Sequence, residues 1–351
     1  MMSVLSDQLV TVAVLAYLVA MIGHAVEYAL GNARVRVGTP ARELVGAGVG
    51  ASGDGGSGPE PAVAGATAVE RTVAERTVAE RTVAERTVAE RTVAERTAAR
   101  ARAAGLGAVA VTVVAALLHL GALIARGVAA DRMPWGNMYE FVLTVSFIGV
   151  AGWLVVLWKR PTLRRLGLFL TLVMMLLVAT AELLLYTPVV PLVPALNSYW
   201  FIIHVATIVF SSGIFLLGVV PAAAYLMRAG YEQGRRSFPY LLAKRMPAAA
   251  ALERLTFVLH AFSFPIFTFA VIAGAIWAEA AWGRPWGWDP KETWAFISWV
   301  VYAGYLHARA TPSVRRNVAT WLAVLGFLTV LMNLFGVNIF FEGLHSYGGL
   351  D

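Results

Sequence analysis

The sequence predicts an all-α fold: a polytopic membrane bundle of about eight transmembrane helices, with both termini on the non-cytoplasmic side. Three observations predict it. Hydrophobic residues make up 59% of the chain and charged residues only 14%, where a soluble domain carries about a quarter charged. Several windows are nearly free of charge over about 20 residues, the length that crosses a bilayer core. Lys and Arg gather in alternate connections, as in cytoplasmic loops.

The first run, 8–30, has no Lys or Arg before it and ends in "MIGHAVEYALGNAR". With no small-residue cleavage site there, it reads as a first membrane helix and not as a signal peptide. The connection that follows carries Arg34, Arg36 and Arg42, then the Gly-rich stretch "ASGDGGSGPEP", then "VERTVAERTVAERT" and further copies of the same five-residue unit. Glu70, Glu75, Glu80, Glu85, Glu90 and Glu95 recur, each followed by Arg. A five-residue step advances about 140° beyond a full helical turn. Successive valines therefore wander around the cylinder, which is neither a heptad nor a solenoid period. Residues 31–104 are expected to be a cytoplasmic low-complexity insert, helical at best, with 105–351 as the main membrane domain.

The remaining spans are expected at 105–126, 138–158, 164–186, 201–227, 255–278, 291–309 and 317–340. Basic connections follow the third, fifth and seventh spans, with Lys159, Arg160, Arg164 and Arg165, then Arg228, Arg235, Arg236, Lys244, Arg245 and Arg254, then Arg309, Arg315 and Arg316. The alternate connections are poor in Lys and Arg, and "TPVVPLVPALNSYW" has no charge. The loop 279–290 therefore faces outward. It keeps Arg284, with Lys291 at its edge, against the general bias. An anionic ligand would account for those cations, and so would pairing with Glu279, Asp289 or Glu292.

Composition excludes several chemistries. With no cysteine there is no disulfide framework, thiolate metal site or cysteine nucleophile. The net charge of +7 punctuates apolar spans and so points away from nucleic acid.

The chain has six histidines. Ionisable groups inside or beside a bilayer are costly and usually have a role. His204, at the outer start of its span, and His345, just beyond the outer end of the last span, both reach the face that holds the tryptophan loop. His24, His260 and His307 lie toward cytoplasmic ends, and His119 lies in the outer half of its span. Zinc would want three or four protein ligands, and Asp289 and Glu342 lack a zinc-site spacing with the histidines. Haem fits better: its iron takes two axial ligands, and imidazole is a common one. Its flat macrocycle suits Trp282, Trp286, Trp288 and Trp294, and its propionates suit Arg284 and Lys291. Interfacial tryptophans often form an aromatic belt, but those between Trp277 and Trp299 exceed what a belt needs.

The stretch "WGWDPKETWAFISWVVYAGYLHAR" resembles the tryptophan-rich (WWD) signature of the haem-handling proteins of cytochrome c maturation, and within them the CcsA/ResC type of system II. "MPWGNMYEF" (133–141), "SYWFIIHVATIVFSSGIF" (198–215) and "NIFFEGLHSYGG" (338–349) resemble the same family in the same order. The resemblance covers roughly 105–351 and leaves 31–104 without a counterpart.

The resemblance implies that His204 and His345 are external axial ligands of haem b iron. The platform would include Trp282, Trp286, Trp288, Trp294 and Asp289, with Arg284 and Lys291 beside it, and His307 would help pass haem outward. It implies a multi-pass protein of the bacterial plasma membrane. With a CcsB/ResB-type partner, this protein would present haem for covalent attachment to a Cys-x-x-Cys-His segment of apocytochrome c, as a subunit of a holocytochrome c synthase. No catalytic side chain is implied. His24, His119 and His260 are expected to be structural, and Glu27 and Glu182 to be paired carboxylates. Two alternatives stay open: a haem-delivery protein of the other maturation pathway, and a transporter of a different solute, in which internal repeats and broken helices would be expected.

Overall fold

The computed structural model describes residues 1–31, 62–192 and 196–345, without the side chains of 62–72. Arg34, Arg36, Arg42 and the Gly-rich stretch 51–61 lie outside the described residues. Every regular element among the described residues is helical. These are α1 (Met2–Leu30), α2 (Ala62–Ala130), α3 (Met138–Lys159), α4 (Gly167–Leu184), α5 (Tyr199–Glu232), α6 (Ala249–Trp282), α7 (Pro290–Ala310), α8 (Arg316–Leu331) and α9 (Val337–Phe340). A π turn, Met332–Gly336, joins the last two.

The chain divides into two units: Met1–Ala29 with Ala103–Asp351, and Leu30–Arg102. In the second, the described part of the pentapeptide repeat is helical and its valines are exposed. Val73, Val78, Val83, Val88 and Val93 are each 58–65% exposed, so the wandering valines build no apolar face. Each threonine hydroxyl from Thr77 to Thr97 donates to the valine carbonyl four residues back, at 2.7–3.0 Å. That bond satisfies the hydroxyl without breaking the helix.

Among the described residues, seven helices are long and apolar enough to cross a membrane, the apolar part of α2 among them. The expected span at 291–309 is the exception. It is a 21-residue helix, α7, that is less apolar than the rest. Lys291, Glu292, His307 and Arg309 occupy its ends, while Ser298, Tyr302 and Tyr305 sit along its length with 1%, 0% and 1% exposure. A helix that turns its polar groups inward needs less apolar surface than one facing lipid on most sides.

Helices α5, α6, α7 and α8 form the heart of the unit, and α5 with α6 is the most extensive pair. Glycine permits the closest approaches. A Cβ at Gly213 would lie 2.6 Å from the Ile148 Cβ, so α5 meets α3 backbone to side chain. Phe215 stacks on Tyr302 at 3.9 Å, tying α5 to α7. On α1, Ser6 donates to the Ala122 carbonyl at 3.0 Å and Tyr17 meets His119 at 3.3 Å.

Antiparallel packing of α5, α6, α7 and α8 divides the bundle into two ends. The start of α5, the end of α6, the start of α7 and the π turn share one end. The end of α7 and the start of α6 share the other, where Arg309 pairs with Glu253.

Candidate haem-handling site

The site is built where α6 gives way to α7. Gly283, in the left-handed region at φ 70°, closes α6 by donating to the Glu279 carbonyl at 2.9 Å. Four residues of "DPKE" then start α7. Asp289 is the N-cap, Pro290 fills the first helical position, and Glu292 accepts from the N–H of Asp289 at 3.1 Å and of Gly287 at 2.8 Å. This is a capping box, and it folds the tryptophan loop back over the helix end.

Asp289 also reaches across the chain. Its Oδ1 accepts from the Leu344 N–H at 2.7 Å, and its Oδ2 accepts from His345 Nδ1 at 2.8 Å and the Lys291 N–H at 3.3 Å. Burial would push this carboxyl up, but the hydrogen bonds from His345 and Leu344 hold it below the usual aspartate range. His204 is held differently. Its Nδ1 donates to the Ala270 carbonyl at 2.8 Å, in the space that Gly274 leaves open. In both rings Nδ1 is the donor, because a carbonyl and a carboxylate only accept. In the neutral form of each ring Nε2 then keeps its lone pair, and no hydrogen bond from either Nε2 is seen among the described residues.

Both imidazoles meet Trp277. His204 stacks on it at 5.9 Å with 11° between planes, and His345 meets it edge-on at 5.7 Å. Both line one cavity of about 210 Å³, with Trp135, Phe201, Trp286 and Lys291 among its walls. The Lys291 ammonium donates to the Asn333 carbonyl of the π turn at 3.5 Å. Two histidines and a lysine in the wall of one aromatic, apolar cavity suit a flat, anionic, iron-bearing ligand. Among the described residues no cluster of three His, Asp or Glu side chains could hold a metal ion by itself.

Comparison with known proteins gives the family. A family model described as Cytochrome C assembly protein matches residues 135–345. The cytochrome c biogenesis protein CcsA of Guillardia theta is 33% identical over 256 residues, covering 68% of this chain and 85% of that protein. CcsA of Gloeobacter violaceus is 31% identical over 290 residues, covering 68% and 85%. The chain belongs to the cytochrome c assembly family.

Within it, this is a CcsA-type protein of cytochrome c biogenesis with many apolar helices. Its fold is also similar to that of Cytochrome c Heme Lyase CcmF, with a TM-score of 0.54 at 14% identity, over 100% of this chain and 49% of the other. The chain thus spans about half of that larger protein.

In this CcsA-type chain the sequence-predicted residues divide into groups. His204, His345, Trp286 and Lys291 line the cavity. Trp282 and Asp289 stand behind it, in contact with His345, and Trp282 meets that ring edge-on at 4.8 Å. Trp288 and Trp294 do not line it. Trp288 is 65% exposed and begins an outer aromatic row, meeting Trp286 at 5.7 Å and Phe296 at 6.0 Å. The Arg284 guanidinium lies over Gly287. Among the described residues it makes no ion pair with Glu279, Asp289 or Glu292. His307 lies at the other end of α7 with its ring exposed, about 24 Å from Lys291 at 1.5 Å per residue.

His24, His119 and His260 have packed surroundings. His260 is fully buried among Phe215, Tyr302 and Tyr305, and its Nδ1 donates to the Thr256 carbonyl at 2.7 Å. His119 is fully buried beside Tyr17 and Phe147. His24 faces Glu27, which is paired with Arg164 at 2.6 Å, and Glu182 accepts from the Tyr139 hydroxyl at 2.9 Å.

Sequence reasoning did not assign Trp135 or Trp277 to the site. Trp135 is carried by the "MPWGNMYEF" segment, which a buried charge network fixes. Glu140, fully buried, accepts from Arg126 at 2.9 Å, Arg132 at 2.6 Å and the Gly136 N–H at 2.7 Å. Asn137 caps α3 by accepting from the Glu140 N–H at 2.9 Å. The Asp-x-x-Glu of the capping box was the legible signal that the tryptophan loop is wound onto α7.

Proposed function

We propose that the cavity between His204 and His345 receives haem b as cargo and presents it for attachment to apocytochrome c. The observation that carries this is the matched setting of the two imidazoles: each lines the same aromatic cavity and has Nδ1 tied to an acceptor, which in the neutral ring leaves Nε2 free to ligate. A ring held by its far nitrogen is oriented and enriched as an iron ligand. Lys291 offers a charge for a propionate, and Trp135, Trp277 and Trp286 offer faces for the macrocycle.

The attachment reaction adds two cysteine thiols of a Cys-x-x-Cys-His segment across the haem vinyl groups. No general base in this chain is needed, because holding haem and peptide together supplies much of the acceleration. The side chains here orient the macrocycle and keep the iron ligated until the histidine of the substrate segment replaces one of them. His307, exposed at the far end of α7, is the inner station, completed by a histidine from a CcsB/ResB-type partner. The chain is then one subunit of a holocytochrome c synthase in a bacterial plasma membrane, with the cavity and both termini on the outer face.

The test is an absorption spectrum of protein purified from haem-replete cells. Wild-type protein should carry a Soret band with bis-imidazole features. His204→Gly and His345→Gly should lose haem and cytochrome maturation, with partial recovery on added imidazole. His307→Gly should lower the haem content without changing the axial signature of what remains. Normal spectra and full maturation in both outer variants would exclude the reading.

A further inference from the structure

We infer that Asp289 is a positioning residue for haem ligation: it acts through His345, by dictating which imidazole nitrogen carries the proton, and does not contact the haem. The inference rests on the haem reading of the cavity proposed above and goes beyond it. The tryptophan signature alone suggests that its aspartate belongs to the haem platform. The geometry points elsewhere. Asp289 is 7% exposed, and its described side-chain partners come from the chain itself: the Leu344 and Lys291 N–H groups and the His345 ring. It does not line the main cavity, whereas His345 does.

The two sides of the site are unequal in a way that makes Asp289 the controllable one. His204 sits on a long helix, and its Nδ1 proton is fixed by the main-chain carbonyl of Ala270, which no side-chain change removes. His345 follows the short helix α9, in a segment without regular structure. Its orientation depends on one carboxylate that grips both it and the residue before it. A carboxylate that accepts from the far nitrogen of a ligating imidazole sets its tautomer and strengthens it as a donor to metal. The same logic governs a histidine beside an aspartate in hydrolytic triads, where the amide analogue reverses the tautomer while preserving shape.

Asp289→Asn tests this because an amide has one accepting atom where the carboxylate has two. Leu344 N–H, at 2.7 Å, cannot tolerate a donor opposite it. The amide oxygen therefore stays with Leu344, and the amide NH₂ faces His345 Nδ1. The imidazole can answer by moving its proton to Nε2, which a main-chain N–H cannot do. Nε2 then has no lone pair to offer iron. The Lys291 N–H, which shares Oδ2 at the longer distance of 3.3 Å, gives up its acceptor, while Glu292 still accepts from the Asp289 and Gly287 N–H groups and holds the start of α7.

The experiment compares full-length wild type, Asp289→Asn, His345→Gly and the double variant, each purified with its haem and examined by absorption spectroscopy with and without imidazole. His345→Gly should lose bis-imidazole features and regain them with imidazole. Asp289→Asn should lose them as fully, yet not regain them, because the mis-protonated ring still fills the space. Adding His345→Gly to Asp289→Asn should restore the imidazole response. That recovery is what a merely folded-or-unfolded effect of Asp289 could not produce. A wild-type spectrum in Asp289→Asn, beside a defective His345→Gly, would overturn the positioning role and leave the haem site standing. Rescue of Asp289→Asn alone would overturn the tautomer argument, and a double variant without response would mean that Asp289 serves only the loop fold. A normal spectrum in His345→Gly would instead remove the haem reading itself.

Discussion

The His204 ring has its position because residue 274 has no side chain. A Cβ there would lie 2.7 Å from two atoms of the imidazole, and the ring already stacks on Trp277 and bonds Ala270. It has no room to retreat without giving up one of these. Overpacking of this kind costs about 1–3 kcal/mol, and about 1.4 kcal/mol lowers occupancy tenfold. Gly274→Ala is therefore expected to cut haem per protein by roughly tenfold, read as the Soret-to-280 nm ratio. Gly107→Ala is the control, since a Cβ at Gly107 meets nothing within 4 Å. Its haem ratio should match wild type.

At the scale of elements, the start of α7 and the repeat helix make opposite predictions. Glu292 closes the capping box, and Glu292→Ala leaves the Gly287 and Asp289 N–H groups without their acceptor. Loss of such a cap costs about 1 kcal/mol. The expected outcome is faster amide hydrogen exchange over 286–294 with little change in the middle of α6. The repeat has no packing face to lose, since its valines are exposed throughout. Deleting 66–98 should leave membrane insertion and cytochrome maturation close to wild type, and lost maturation at normal protein level would assign the helix a role.

The whole molecule carries the question of orientation. Basic connections alternate with charge-poor ones, and the tryptophan loop lies at the charge-poor end. With no native cysteine, single cysteines report topology without background. A cysteine at Ser346 should react with an impermeant thiol reagent in intact cells, and one at Ser237 should not. The reverse pattern would place the cavity on the cytoplasmic side and exclude outward presentation.

The helical membrane class was legible because transfer into lipid is set by composition over about 20 residues, which needs no knowledge of neighbours. The order of the helices, the exposed character of the repeat and the choice of His204 and His345 as histidines of one face follow from the same one-dimensional information: period, charge and position along a span. What the tertiary structure decided is which groups meet. The inward turn of Ser298, Tyr302 and Tyr305 explains why α7 is less apolar than a lipid-facing span, and only packing against α5, α6 and α8 reveals it. Trp135 and Trp277 line the cavity while Trp288 and Trp294 do not, because the capped end of α6 and the φ of 59° at Trp288 turn the loop. A main-chain carbonyl such as that of Ala270, and the space above Gly274, have no residue type to announce them. They exist only where two helices have already come together.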